Sequence, residues 1–566
     1  MTTKAVANAK HARAPKELGD FTTSLRVLPI SLIAVVIGVL CCFVAFALLR
    51  MIAFFTNLFF YHRLSTALTS PANNTLGWLE LLVPVVGGLV IGLMARFGSD
   101  RIRGHGIPEA IESILLRGSR IEPRVALLKP LSSAISIGSG GPFGAEGPII
   151  MTGGAFGSMI GQLLHVTNAE RKTLLVAGAA AGMSATFASP VAAALLAVEL
   201  LLFEWKPRSF IPVALASATA AILRVPLLGP APLFAVPQHA VLGGPHALLA
   251  CVACGLLAGV LSALLTLSVY AFEDLFLRLP IHWMWWPAIG GAVIGVGGLI
   301  RPQALGVGYD VIEQLLQGHT LGAALVSLLV VKWVIWSVSL GSGTSGGVLA
   351  PLLIMGAALG GCEAHWFPNL GAGYWQVISM GAILGGTMRS PFTGIVFVLE
   401  LTHDINLLLP LLLAVTCAHA FTVLLLKRSI LTEKVSRRGF HVTREYEAEP
   451  TEIIFVREVM TTLDSTAGTA LAPSEAIEAL VAQPVTAFPD ESLRTVVNRM
   501  AASGVTALPV VDRDDPNRVL GTIDLHDLLK ARVRHLKEEQ HRERVLPIRK
   551  LVFSRLRSAM SARGSS

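Results

Sequence analysis

From residue 27 to about residue 440, long apolar runs alternate with short breaks rich in glycine and proline. The runs at 28–60, 78–97, 244–272, 286–300, 321–340 and 405–426 approach or exceed the roughly 20 residues a helix needs to cross a bilayer. Other apolar segments are short, broken by Gly or Pro, and joined by very little loop. Simple hairpins of full-length spans do not have this pattern; interrupted, tilted helices packed around a buried site do. Residues 1–26 are polar and basic, and the apolar run behind them is far too long for a signal core, so they read as a cytoplasmic tail. Past residue 440 the pattern turns polar. There, 484–529 predicts a small α/β unit: the run Pro-Val-Thr-Ala-Phe from Pro484, an amphipathic helix over 492–502, a short buried strand over 506–511, a polar turn over 512–517, the run Val-Leu-Gly-Thr-Ile from Val519 and a final helix from Asp524. The expected domains are 1–26 (tail), 27–440 (membrane), 454–535 (small α/β) and 536–566 (basic tail). In the last of these, an amphipathic helix on an anionic leaflet and a plain tail both fit.

Composition supports the membrane reading. Hydrophobic residues make up 53% of the chain and charged residues 14%, with mean hydropathy +0.65, against about 25% charged in soluble domains. The net charge of +8 resides largely in the two tails and in Arg96, Arg101 and Arg103 beside an apolar run. That distribution follows the positive-inside rule, with both termini cytoplasmic and in contact with membrane lipid. No nucleic-acid-binding module accompanies it. The six cysteines all lie in apolar segments, and the CxxC spacing of Cys251 and Cys254 suits helix packing better than a metal or redox pair. Without paired acids, metal-ligand spacing or a nucleophile–base arrangement, neither an enzyme nor a cofactor is expected.

The breaks carry the chemistry. Gly-Ser-Gly-Gly-Pro-Phe-Gly-Ala-Glu-Gly-Pro at 138–148 recurs as Gly-Ser-Gly-Thr-Ser-Gly-Gly-Val-Leu-Ala-Pro at 341–351, an offset of 203 from Gly138 to Gly341. Thr186–Pro190 with Glu199 and Leu200 recurs as Thr387–Pro391 with Glu400 and Leu401, an offset of 201 from Pro190 to Pro391. The membrane domain is therefore two related halves, about 27–225 and 243–430, joined by the Pro-rich loop near 226–242; these residues leave open whether the halves are inverted or parallel. Four segments bounded by Gly or Pro stand out: 104–109, 138–148, 341–351 and 429–434. Helices starting near Pro108, Pro148 and Pro351 would point backbone N–H groups and positive dipole ends at an anion. Glu146 is the single acid in the 138–148 run, and an acid at membrane depth is a functional-site candidate.

With these motifs in this order over about 27–440, the chain resembles the CLC family of chloride channels and proton/chloride exchangers. The resemblance implies an all-α membrane fold of tilted and broken helices in an inverted repeat. It also implies a homodimer in the cell membrane with one pore per subunit, carrying chloride. Glu146 falls on the family's gating glutamate, with Ala145 where a basic residue is usual. His105, Gly106, Ile107, Gly144, Gly147, Val348 and Leu349 fall on the anion-binding segments. His105 replaces a serine that coordinates the central anion, Leu349 replaces a phenylalanine, and Leu431 replaces a coordinating tyrosine. An imidazole offers one donor when neutral and two when protonated. His105 therefore reads as pore-lining, the alternative being a bond to a backbone carbonyl beside the pore.

The exchangers' second, proton-passing glutamate aligns with Leu200, which favours a channel or passive transporter gated by Glu146. Glu204, about one helical turn further on, and His105 are the candidates for a proton path, and they keep proton-coupled exchange open; the other reading of Glu204 is an interfacial acid balancing Lys206 and Arg208. The altered central site leaves bicarbonate, nitrate and fluoride open beside chloride. The C-terminal unit resembles a CBS domain, with a truncated first copy beginning near Val456. Asp527 falls on the ribose-contacting position, but Asp524 in place of Ser or Thr would repel phosphate. That weakens the adenine-nucleotide reading in favour of a dimer-stabilising or regulatory role.

Overall fold

The computed structural model describes residues 23–239, 244–318, 322–437, 454–462, 485–513, 515 and 518–540. The tails at 1–22 and 541–566, and with them the amphipathic and plain readings of the C-terminal tail, lie outside the described residues.

The first half runs through eight helices: α1 (Val27–Tyr61), α2 (Leu82–Phe97), α3 (Ile107–Leu116), α4 (Pro123–Gly138), α5 (Glu146–Leu163), α6 (Asn168–Phe187), α7 (Pro190–Leu196) and α8 (Pro207–Leu228). The second half repeats that order: α9 (Pro245–Leu277), α10 (Trp286–Ile300), α11 (Tyr309–Leu316), α12 (Ala323–Gly341), α13 (Leu349–Glu363), α14 (Tyr374–Met388), α15 (Pro391–Thr402) and α16 (Leu408–Leu425), followed by α17 (Ile430–Arg437). Among the described residues, seven helical segments are long and apolar enough to cross a membrane. The 35-residue α1 would measure about 52 Å at 1.5 Å per residue. It exceeds a hydrocarbon core of about 30 Å and must tilt or protrude. Helix α8 extends to Leu228, so the joining loop begins three residues later than the composition suggests, and Pro226 lies inside the helix.

The repeat extends to the backbone. Ala188 and Arg389, which end α6 and α14, share the left-handed conformation, as do Phe203 and His403 further along. The halves also meet reciprocally. A Cβ on Gly88 would lie 2.3 Å from the Pro287 carbonyl, and one on Gly291 would lie 2.3 Å from the Pro84 carbonyl. Glu199 accepts hydrogen bonds from the Phe392 and Thr393 amides at the start of α15, while Glu400 accepts from the Val191 and Ala192 amides at the start of α7. Exchange of equivalent contacts is the signature of a two-fold relation between the halves, as an inverted repeat requires. One departure is local: α15 stays α-helical to Thr402, whereas α7 widens into a π-helical turn over Ala197–Leu202.

Within the first half, α5 and α6 pack backbone to backbone. Gly153 and Gly178 each stand where an added Cβ would lie about 2 Å from the other's carbonyl, so only glycine permits this approach. Such packing keeps two short helices rigid in a medium that gives no hydrophobic reason for them to associate.

The C-terminal unit has its own core of Val456, Ala487, Leu493, Val496, Met500, Leu508, Val510 and Ile523. Its sheet has the order β1-β3-β2, with β1 (Thr461–Thr462) and β2 (Ala507–Val511) both antiparallel to β3 (Val519–Asp524). Helices α18 (Leu493–Ser503) and α19 (Leu525–Gln540) complete it. The segment assigned to a first copy contributes Val456 to this core and β1 to this sheet, so it folds as part of the one unit described.

Candidate anion pathway

Three of the four Gly/Pro segments converge through their backbones. Gly144 N–H donates to the Gly347 carbonyl (3.3 Å), and Gly347 N–H returns a bond to the Gly144 carbonyl (2.9 Å). Gly346 N–H donates to the Gly104 carbonyl (3.4 Å). The contacts are close enough to demand glycine: a Cβ on Gly147 would sit 1.8 Å from the His105 carbonyl, and one on Gly106 (φ +90°) would sit 2.6 Å from the Gly147 carbonyl. Helices α3, α5 and α13 thus begin at one buried junction, with proline at the second or third position of each, where its missing N–H costs nothing.

Glu146 is at the centre of this junction. Its side chain is fully buried, and Oε1 accepts the Ala350 N–H at 3.0 Å, at the start of α13. Oε2 is buried with no hydrogen-bond partner among the described residues, and it lies close to Gly144 and Gly347. A carboxylate from one half therefore rests on the positive end of a helix from the other.

The predicted anion-binding residues are all buried here: His105, Gly106, Ile107, Gly144, Gly147, Val348 and Leu349. Not all offer a free amide. Gly106 N–H is bonded to Glu109 Oε2 (2.9 Å) and Gly144 N–H to Gly347. His105 is buried, and its Nδ1 lacks a hydrogen-bond partner among the described residues. The fourth segment arrives through its charges: Lys434 on α17 pairs with Glu109 at 2.6 Å, beside Gly104. Leu431, one turn earlier, is fully buried, and the neighbouring Ile430 carbonyl accepts the Tyr270 hydroxyl.

Two buried lysines escaped the sequence reading. Lys129 Nζ donates to the carbonyls of Ile102 (2.9 Å) and Gly104 (2.7 Å) and to Ser345 Oγ (3.2 Å). Lys332 Nζ donates to the carbonyls of Ala304 (2.8 Å) and Gly306 (3.1 Å). The lysines are 203 positions apart and their carbonyls 202 apart, so they form one device used twice: a cation gathering the loop ahead of α3 or α11. The signal was in the sequence, since Gly104-His-Gly-Ile recurs as Gly306-Val-Gly-Tyr.

Of the proton-path candidates, Leu200 lies fully buried in the π-helical turn, and Glu199 beside it caps α15. Glu204 does not continue that helix as expected. The helix stops at Leu202, Phe203 turns left-handed, and Glu204 sits in the connection bonded to Ser209 (2.7 Å) and Lys206 (3.2 Å). Burial works to raise its carboxyl, but Lys172, the Ser209 hydroxyl, Lys206 and Arg208 hold it below its ordinary range. In the C-terminal unit, Asp527 N–H donates to Asp524 Oδ1 (2.8 Å) and Asp524 N–H to Asp527 Oδ2 (3.4 Å), while Lys530 reaches Asp527 at 3.2 Å. Both carboxylates cap α19.

Comparisons with known proteins identify the family and the fold. The family model described as voltage gated chloride channel matches residues 86–423, and the CBS domain model matches 477–534. The chain is 31% identical over 347 residues to the putative chloride channel protein ClcB-like of Ralstonia nicotianae, covering 60% of this chain and 81% of that one. It is 30% identical over 377 residues to the H(+)/Cl(-) exchange transporter ClcA of Cronobacter sakazakii, covering 61% and 76%. Among solved structures, a slow cyanobacterial Cl-/H+ antiporter superposes with TM-score 0.64 at 22% identity, covering 74% of this chain and 99% of that one. A CLC-type fluoride/proton antiporter gives 0.60 at 21%, covering 71% and 97%. With helix starts from both halves meeting at one buried glutamate, and a family model matched across most of the membrane domain, the chain belongs to the CLC family of anion-transport proteins and carries a C-terminal CBS domain.

Proposed function

We propose that this protein is a multi-pass membrane transporter exchanging chloride for protons, with Glu146 as the gate at which the two ions compete. The observation that carries this reading is the seat of the Glu146 carboxylate on the Ala350 amide at the start of α13. A carboxylate held there occupies the place a small anion would take at a helix N-terminus. It must be protonated or displaced for an anion to follow. Relatives named H(+)/Cl(-) exchange transporters shift the weight from the channel expected from Leu200 towards exchange. His105, Ile107, Gly147, Val348 and Leu349 line the anion site in this reading, and Gly106 and Gly144 shape it, since their amides are already bonded. The protein acts as a homodimer with one pore per subunit and both termini cytoplasmic. Family relationship gives no reason to expect enzymatic chemistry.

A passive transporter is the second reading, and Leu200 favours it. Glu204, ion-paired and outside the helix, is poorly placed to replace the missing acid. Purified full-length protein in liposomes, with a chloride gradient and a pH electrode, decides between them. Exchange predicts uphill proton movement driven by chloride, abolished in Glu146→Gln while chloride still passes. Chloride flux without proton movement would overturn exchange in favour of the passive reading. An unchanged pH profile in Glu146→Gln would overturn the gate itself. A panel of chloride, bicarbonate, nitrate and fluoride in the same assay identifies the anion.

A further inference from the structure

Among the described residues, a pair of polar atoms, one from each half, is left without a hydrogen bond on the side of the gate away from His105. Glu146 Oε2 is buried without a hydrogen bond, and so is the phenolic oxygen of Tyr309, the first residue of α11. The two residues lie within electrostatic reach of each other. Burying a hydroxyl without a partner is costly, so a lone hydroxyl in the same buried region as a lone carboxylate oxygen calls for a reason.

The surroundings hold Tyr309 at this place. Gly306 N–H donates to the Gly140 carbonyl at 3.1 Å, which ties the loop before α11 to the run containing Glu146. The Gly306 carbonyl is in turn held by Lys332. A Cβ on Gly308 would lie 2.7 Å from Ile354, on the same α13 whose start holds Glu146. The phenol ring packs edge-on against Phe187 (6.2 Å between centroids) and Phe234 (6.0 Å), and Phe187 packs on Phe397 (5.4 Å). These rings fix the ring of Tyr309 and offer its hydroxyl nothing.

We infer that Tyr309 is a gate-positioning residue: its hydroxyl is the donor for the free Glu146 oxygen. The inference rests on the gate assignment made above and deepens it. A carboxylate bonded through Oε1 to the Ala350 N–H leaves Oε2 free; a swing towards Tyr309 gives Oε2 a donor, which like Ala350 comes from the second half. The other charged groups facing this place are Lys332 on α12 and Asp310 on α11. Lys332 is committed to its two carbonyls. His105, Glu109, Lys129 and Lys434 form a separate group on the α3 side of the junction.

The test is Tyr309→Phe in the full-length protein, reconstituted in phosphatidylethanolamine and phosphatidylglycerol vesicles, with chloride efflux recorded from acid to neutral pH. A donor to the ionised gate favours the ionised, seated form. Its loss should therefore move the acid activation of flux about one unit towards neutral pH, roughly a tenfold shift in gate protonation. Tyr309→His restores a donor on a ring and should move the profile back. In a Glu146→Gln background, Tyr309→Phe should leave flux within about twofold, since its effect runs through the carboxylate. A wild-type profile for Tyr309→Phe, in a protein whose Glu146→Gln variant does lose its pH dependence, overturns the role of Tyr309 and leaves the gate standing. Equal effects in both backgrounds, or failure of both Tyr309 variants to fold, mean that the hydroxyl serves packing and overturn it too. If Glu146→Gln itself keeps the wild-type profile, both readings fall.

Discussion

Glu199→Ala should destabilise the membrane domain, and the structure gives the size of the effect. Glu199 accepts three hydrogen bonds at the start of α15: from the Phe392 amide (3.2 Å), the Thr393 amide (2.8 Å) and the Thr393 hydroxyl (2.6 Å). Removing an N-terminal cap costs about 0.5–2 kcal/mol in soluble proteins, and hydrogen bonds to charged groups are worth about 1.5–3 kcal/mol each. The Thr393 hydroxyl can turn to another acceptor, but the two amides cannot. A loss of about 2–3 kcal/mol follows for Glu199→Ala. Glu400→Ala removes the mirrored pair of amide bonds, to Val191 (2.9 Å) and Ala192 (2.8 Å), and should cost about 2 kcal/mol on the same scale.

The assay is thermal unfolding of detergent-solubilised protein, followed by loss of the intact peak in size-exclusion chromatography. At roughly 2–4 °C per kcal/mol for a domain of 150–250 residues, and less for a larger one, the midpoint should fall by about 3–6 °C for Glu199→Ala. Glu199→Gln keeps an acceptor oxygen and should lose less than half as much. A Glu199→Ala midpoint equal to wild type would refute the capping role. So would a Glu199→Gln variant that folds as well as wild type yet no longer moves protons, because Glu199 would then be the missing proton relay and not a cap.

Lys129→Met should leave the Ile102 carbonyl without its donor and the Gly104 carbonyl with only the long Gly346 N–H bond (3.4 Å), at roughly 1–3 kcal/mol for a buried group left unpaired. Lys332→Met should likewise leave the Ala304 and Gly306 carbonyls without their donor. Both should lower the yield of monodisperse protein sharply; wild-type yield and midpoint in either would contradict the loop-gathering role. Gly347→Ala would place a methyl group 2.7 Å from Glu146 Oε2 and 2.6 Å from the Gly144 carbonyl. The carboxylate can move away but the Gly144 carbonyl and the Gly147 amide (2.9 Å) cannot, so this variant should both lower the thermal midpoint and, in the protein that folds, lose the pH dependence of chloride flux as Glu146→Gln does. A wild-type pH profile would show that the gate does not rest where it is placed.

How far these features were legible in the sequence depends on whether the signal was local. The starts of α3, α5 and α13 each come from a Gly/Pro cluster of a few residues, and the structure brings them together. The amphipathic helix and the buried strand of the C-terminal unit follow from short-period patterns and appear within a residue or two of their expected limits. Lys129 and Lys332 were missed because a single cation in an apolar helix makes no local pattern, and the carbonyls that satisfy it lie about 27 residues away in sequence. The capping role of Glu199 has no local signal, since its partners Phe392 and Thr393 lie in the other half. Glu204 was placed on a helix that a left-handed Phe203 ends first.

Seen together, these misses bear on how a CLC-type site tolerates its substitutions. In the proposed reading the central site lacks two hydroxyls of the family pattern, at His105 and Leu431, yet the junction of α3, α5 and α13 is intact. The parts that hold it are backbone contacts between glycines, two lysines bonded to carbonyls, and two glutamates exchanged across the two-fold. None of these depends on the side chain at position 105 or 431. The frame and the ligand set are therefore separable: the frame fixes where helix starts point, and the ligands decide what is held there and at which pH. On this argument, His105→Ser should change anion preference or pH dependence with little change in thermal midpoint, whereas Lys129→Met should do the reverse. A parallel loss of stability and selectivity in both variants would show that frame and ligands are one structure.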